Sequence, residues 1–399
     1  MKLIRIPRSK IKLGQPLPWN VRDETTRLLL SRGHVVEDEH LLDALVTRGV
    51  FVDLEEARAV AHEESQAAKD SMSVSTLKRP TNLFSQWDRS AEDLHKLMGQ
   101  VPKTPLQLTQ LTEFTHWLTE LVDQDVDVAI YHVVRQESAH AFYYGYNHAI
   151  HTAVLCLLMA RHLNWPQPRI LSLVQAALTM NLPILHLQGE MANQEEPLRE
   201  GQRTQIRAHP MQAVQWLTQA GVSDADWLTA IAQHHERADG SGYPEGRTDV
   251  ADIAVALRVA DVFMSKISRR KLRAALPIQE ATKQLFHEDH GGPLSNAVIK
   301  ELGLFPPGDL VKLASGEIGV VARRTANVKC PVVATLTDES GKPIVRTQRR
   351  NTSEPTYTIT GTVADKTLVA HLPPERIYGY ANQTAPGAVS AAPEANAKP

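Results

Sequence analysis

Between residues 108 and 300, apolar side chains recur every three to four positions in one run after another. The runs stop at residues that end helices: Pro166, Pro183, Gly221 and Gly240. That period puts the apolar residues on one face of an α-helix, and several such faces must be buried against one another. The stretch 108–303 therefore predicts a helical domain.

The flanks differ in texture. Residues 1–65 open with extended stretches, Leu3–Ile6 and Arg27–Leu30, around the turn-like Asp23-Glu24-Thr25. A helical pattern of Leu41, Leu42, Leu45 and Val46 follows, so a small α+β module is expected. Residues 66–107 are polar, with Ser71, Ser73, Ser75, Lys78, Arg79 and Pro80, and read as a linker with some helix. Residues 304–380 are β-rich: Asp309–Leu313, Glu317–Arg323, Val332–Leu336, Pro343–Thr347 and Thr356–Val363 read as strands, with a hairpin turn at Asp338–Gly341. A small barrel or sandwich is expected there. Residues 381–399, rich in Ala, Pro, Asn and Gly, read as a disordered tail. The whole is a multidomain, mainly α chain with small α+β and β-rich modules at its two ends.

Composition narrows the partners. An apolar share of 42% over 399 residues is that of a globular protein, and a formal charge of −2 gives no reason to expect DNA. Cys156 and Cys330 lie far apart and outside any CxxC pattern, which points to a reducing compartment. The opening MKLIRIPRSK is not a signal peptide, and the longest apolar run, Ala153–Ala160, is far below the ~20 residues of a membrane span. The expectation is a soluble cytoplasmic protein. The basic residues Arg323, Arg324, Lys329, Arg346, Arg349 and Arg350 read as a solvated β surface, with a nucleotide or partner patch as the alternative.

Eleven of the seventeen histidines fall between His132 and His290. His148 and His151 share a helical face with Leu155, and His209 shares one with Ile206, Ala213 and Leu217. Trp227, Leu228 and Ile231 lead to His234 and His235, while Ile253, Leu257 and Met264 flank Asp261. The run from Ile170 to Leu178 leads to Asn181. Several helices thus turn ligand-type side chains inward, where a carboxylate is costly unless paired or metal-bound. Imidazole and carboxylate suit iron, manganese or zinc. Spacing alone leaves two readings open, a metal or anion site and a structural polar network. His186 and Glu190 are read as loop residues, because Pro183 and Gly189 argue against a helix there. The sharpest local run is His234-His235-Glu236-Arg237-Ala238-Asp239-Gly240-Ser241-Gly242-Tyr243-Pro244. Its glycines permit positive φ and close backbone approach, so the loop could offer backbone N–H groups to a phosphate and an aromatic face to a base.

HHExxDGxGYP resembles the signature of HD-GYP domains, the cyclic-di-GMP phosphodiesterases of the HD hydrolase superfamily, and the similarity runs over about 130–300. The resemblance implies metal ligands at His148, His209 (followed by Pro210), His234, His235 and Asp261, with Arg270 and Arg273 as phosphate-facing arginines. It implies ligand contacts at Gly240, Gly242, Tyr243 and Pro244. The first 60 residues and the β-rich part resemble modules that accompany this family. The departures fall on the family's LLHDIGK motif, here Leu178-Thr179-Met180-Asn181-Leu182-Pro183-Ile184. Met180 replaces its histidine, Asn181 its bridging aspartate and Ile184 its lysine; Tyr144 replaces an acidic ligand. An amide cannot offset two cations as a carboxylate does, and a thioether is a poor ligand for hard ions. The set left over suits one transition ion, or none. Three functions follow: a receptor for cyclic-di-GMP or a signalling partner with little or no hydrolysis, a weak metal-dependent phosphodiesterase, and a ligand-free interaction scaffold.

Overall fold

The computed structural model describes residues 83–136, 141–363 and 373–378, together with 3–5, 11, 17, 19–32, 34, 36 and 50–56 near the N-terminus. It divides into two compact units, Met1–Thr81 and Asn82–Pro399. The helical pattern at Leu41–Val46 and the tail at 381–399 lie outside the described residues.

In the first unit, β1 (Leu3–Arg5), β2 (Val21–Arg22), β3 (Leu28–Leu30) and β4 (Phe51–Asp53) form an antiparallel sheet in the order β1-β4-β2-β3. Asp23 makes the β2–β3 hairpin: its carboxylate accepts the N–H groups of Thr25 and Arg27. Leu17, Trp19, Val21, Val36, Val50 and Val52 form the small core.

The second unit is mainly helical: α1 (Leu83–Met98), α2 (Leu108–Gln124), α3 (Val126–Arg135), α4 (Tyr144–His162), α5 (Gln167–Thr179), α6 (Leu185–Asn193), α7 (Glu200–Gln219), α8 (Ala225–Gln233), α9 (Asp252–Ile267), α10 (Ile278–Glu288) and α11 (Pro293–Leu302). The hub is α4. It is apolar on nearly every face, as a helix surrounded by others must be. Caps set the helix starts: Asp125 accepts the N–H groups of Asp127 and Val128, and Asp224 accepts that of Trp227.

Helix α1 falls in the stretch read as a linker with some helix, and Phe84, Trp87, Leu94 and Met98 pack it into the same core as α4. One helix differs from the sequence expectation. Helix α6 carries His186 and Glu190, read above as loop residues. Pro183 sits in a 3-10 turn ahead of α6, where no helical N–H is lost. Gly189 is buried within the helix, so its cost in propensity is offset by packing. The stretch Gln167–Asn193 is apolar and long enough to cross a membrane by composition, but it is interrupted at Leu182–Ile184 and mostly buried in the fold.

The C-terminal part of this unit is one open antiparallel sheet among the described residues, and not a barrel or sandwich. Strands β5 (Leu310–Leu313), β6 (Ile318–Arg323), β7 (Val332–Thr335), β8 (Arg349–Asn351) and β9 (Ile359–Thr362) run in the order β8-β7-β6-β5-β9. Alternation explains why a second sheet is not needed. Leu310, Val320, Ala322, Ala334 and Leu336 join the helical core, while Val311, Leu313, Val321 and Val333 form a small core on the other face. The strand expected at Pro343–Thr347 does not form, since Pro343 has no N–H and Val345 is 82% exposed; pairing resumes at β8. Nor are the arginines simply solvated. Arg323 pairs with Asp125, Arg324 with Asp127, and Arg350 with Glu317.

Candidate metal centre

The inward stripes of α4, α7, α8 and α9 converge as their spacing predicted. His209 on α7 and His234 at the C-terminal cap of α8 are both buried. His209 Nδ1 donates to the Ile206 carbonyl at 2.5 Å, and His234 Nδ1 donates to the Ile231 carbonyl at 2.6 Å. A carbonyl can only accept, so each Nδ1 carries the proton and each Nε2 presents a lone pair. The two Nε2 atoms face each other at 3.2 Å. Burial, aided by His234, pushes the His209 pKa down to about 3. Burial also lowers that of His234 against the pull of Asp261, and holds His235 well below its ordinary value. All three rings are therefore neutral at neutral pH, the form in which imidazole binds a cation.

These observations test the fit of a metal. Ligand atoms of His209, His234 and His235 lie within 4.8 Å of one another. Two imidazole nitrogens ~2.0–2.1 Å from one ion at a roughly tetrahedral angle are about 3.3 Å apart, close to the separation found here. Two lone pairs facing at that distance repel unless a cation lies beside them. The residues fit one ion.

His148 Nε2 and Asp261 Oδ1 are hydrogen-bonded at 2.7 Å, and His148 Nδ1 is buried with no hydrogen-bond partner among the described residues. Burial opposes ionisation of Asp261. The hydrogen bond from His148 and the nearby histidines outweigh it and hold the carboxyl below its usual range. Asp261 thus keeps a negative charge next to the three imidazoles.

A cavity of about 170 Å³ opens over this cluster, lined by His148, His209, His235 and Asp261 and also by Tyr144, Asn181, Ile184 and Arg270. Tyr243 and Ile206 complete it, with Gln188, Met191 and Ser265, three residues that the sequence pattern does not single out. Met180 takes no part: it is fully buried in the apolar core. Tyr144 accepts a hydrogen bond from Arg270 Nε at 3.0 Å, and Ser265 Oγ accepts one from Arg270 Nη2 at 3.0 Å. This fixes the guanidinium at the cavity wall. A wider groove of about 600 Å³ continues past Tyr144 and Arg270 to Arg269 and Lys271. Arg273 is exposed, bonds the Ser265 carbonyl, and does not line the cavity.

The Gly-rich loop is held differently from the expectation. The N–H groups of Gly240 and Ser241 are already used, by the Arg237 carbonyl and by Asp239. Glu236, also missed, is the loop's anchor. Its buried carboxylate accepts the N–H groups of Glu245, Gly246 and Arg247 at 2.7, 3.2 and 3.0 Å. Gly242 is required by close approach, since a Cβ there would lie 2.5 Å from the Arg237 nitrogen. The anchored loop lays Tyr243 on the His235 ring, centroids 4.5 Å apart. Gly240, Gly242 and Pro244 therefore shape the loop and do not line the cavity.

Residues 131–290 match the HD domain family. The HHExxDGxGYP run borders the histidine cluster within this matched segment, which is an HD domain of the HD-GYP type. It is 28% identical over 182 residues to the cyclic di-GMP phosphodiesterase PA4108 of Pseudomonas aeruginosa, covering 45% of this chain and 44% of that protein. It is 26% identical over 158 residues to the 3'3'-cGAMP-specific phosphodiesterase 1 of Vibrio cholerae, covering 39% and 36%. The chain spans less than half the length of these curated relatives. Bd1817, a HDG"Y"P protein from Bdellovibrio bacteriovorus, superposes with a TM-score of 0.44 at 16% identity, over 75% of this chain and 99% of that one.

Proposed function

We propose that this chain is a degenerate HD-GYP signalling protein that binds a cyclic dinucleotide such as cyclic-di-GMP with little or no hydrolysis, using one transition-metal ion (iron, manganese or zinc). The observation that carries this reading is the asymmetry of the cavity. His209, His234 and His235 are neutral and gathered within reach of one ion, whereas Tyr144, Asn181 and Ile184 of the same cavity offer no carboxylate or imidazole. Once bound, an ion there acts as a Lewis acid toward a phosphate oxygen. The chain's own residues do the rest. Arg270, held by Tyr144 and Ser265, presents a planar cation to the phosphate, and Tyr243 supplies a ring edge at the mouth. Arg269 lines the outer groove together with Lys271, which is paired with Glu195 at 3.0 Å, and a second phosphate of the ligand running there would compete with that carboxylate. The relatives act, by their names, on cyclic di-GMP and 3'3'-cGAMP, which supports the ligand class.

Calorimetric titration of cyclic-di-GMP, with and without Mn²⁺, tests the proposal. Saturable binding that strengthens with the metal, without linear product, supports it. Heatless titration at high micromolar ligand sinks it and leaves the interaction scaffold. A weak phosphodiesterase is the second reading, favoured by the surviving charged Asp261 beside the three imidazoles; slow, metal-dependent product formation would select it.

A further inference from the structure

Helix α7 is interrupted chemically in its interior. Pro210 lies within Glu200–Gln219 and is buried there. In an unbroken helix the N–H of residue 210 would donate to the carbonyl of Ile206. Proline has no N–H, so that carbonyl is left without its helical partner. His209 Nδ1 fills the vacancy at 2.5 Å. The neighbouring ring follows the same logic by another route. Helix α8 ends at Gln233, the last carbonyls of a helix lack intrahelical donors, and His234 Nδ1 takes that of Ile231 at 2.6 Å. Two helix breaks thus free two carbonyls, each three residues before a histidine, and each captures a ring proton. The outcome is the pair of Nε2 lone pairs 3.2 Å apart.

We propose that Pro210 is a positioning residue for the ion site: by removing one backbone donor, it holds His209 in the tautomer with Nδ1 protonated and Nε2 free to bind a cation. A backbone N–H at position 210 competes for the Ile206 carbonyl. Deprived of that acceptor, the His209 ring turns or changes tautomer, and its Nε2 no longer faces that of His234. This proposal rests on the ion-site reading above, but the tautomer is a property of the metal-free chain and can be measured separately.

The test is Pro210→Ala in the full chain, with histidine-selective ¹⁵N labelling to read the tautomer and Co²⁺ titration to read affinity. His209→Gln identifies the His209 signals. In the metal-free parent, His209 is expected with the proton on Nδ1; a proton on Nε2 overturns the proposal without any variant. Pro210→Ala is expected to shift His209 away from that single tautomer. It should weaken Co²⁺ binding by roughly 10–100-fold, the usual cost of losing the partner of a ligand imidazole. Its melting temperature should hold or rise, because alanine suits a helix interior far better than proline. Falling affinity with constant or rising stability is a combination that a merely structural role for Pro210 does not produce. An unchanged tautomer, or unchanged affinity, overturns the proposal. A parent that binds no Co²⁺ refutes the ion-site reading, and the tautomer comparison still decides the role of Pro210.

Discussion

The two walls of the cavity tell opposite stories. One wall, from α7, α8 and α9, presents His209, His234, His235 and the charged Asp261, with two ring tautomers fixed by backbone carbonyls. The other, from α4 and the turn after α5, presents Tyr144, Asn181 and Ile184 together with His148, which is bonded to Asp261, while Met180 is buried in the apolar core. Both line the same cavity, but the imidazoles that fit an ion are gathered on the first, and on the second His148 Nε2 is taken up by Asp261. Tyr144 holds Arg270, so a cation of the protein's own stands beside the residues that offer no carboxylate or imidazole.

The largest expected effect concerns turnover. Enzymes typically run at ~1–10³ per second, and removal of one central catalytic component costs ~10²–10³ in rate. Hydrolysis of cyclic-di-GMP by this chain should fall below that range by at least such a factor. A rate within it, measured by product chromatography with Mn²⁺ or Fe²⁺ supplied, would show that the second wall still contributes ligands.

Next comes Arg270. A hydrogen bond to a charged group contributes about 1.5–3 kcal/mol, so Arg270→Ala should weaken cyclic-di-GMP binding roughly 10–100-fold. The melting temperature should hardly change, because Arg270 is only half-buried. A large drop in melting temperature with unchanged affinity would make Arg270 structural and remove the compensation suggested for the Tyr144 wall.

Met180→His separates the walls from the other side. Because position 180 is fully buried among apolar residues, an imidazole there should cost about 1–3 kcal/mol in urea unfolding and bind no additional ion by itself. Gain of a second bound ion from this single change would mean that the position can reach the cavity.

The smallest effect is a slope with pH. Burial pushes His132 and His209 down to about 3 in the fold, whereas an unfolded histidine titrates near ~6.5. The unfolded chain takes up these protons and the folded chain does not. Stability is thus intact above about 6.5 and is lost progressively as pH falls from there toward 3. Urea midpoints of the metal-free protein between pH 7.5 and 4.5 should show the decline. His132→Leu should flatten it, as the ring stacks on Trp87 with its Nε2 unpartnered. A flat profile in the parent contradicts the burial of these rings.

Much of this site could be read before the fold was known. Helical period put His209, His234 and Asp261 inward, and an inward charge needs a partner wherever it lies in the chain. What could not be read depends on separations that sequence spacing does not encode. The anchoring of the loop by Glu236 spans nine to eleven residues of irregular backbone. The pairing of His148 with Asp261 spans 113 residues. Some helix was expected where α1 lies, but its packing into the helical core was not legible, because an amphipathic stripe does not name its partner. Helix α6 was hidden because Pro183 and Gly189 count against a helix locally, while tertiary burial outweighs both.

The central claim is that one wall can hold an ion and the other cannot. Elemental analysis of protein purified without chelator, repeated after reconstitution with excess Fe²⁺, Mn²⁺ or Zn²⁺ and gel filtration, tests it most directly. The account predicts at most one tightly bound transition ion per chain, lost in His234→Ala. Two stoichiometric ions per chain would contradict it, because Tyr144, Asn181 and Ile184 would then have to be standing beside ligands that the cavity does not show.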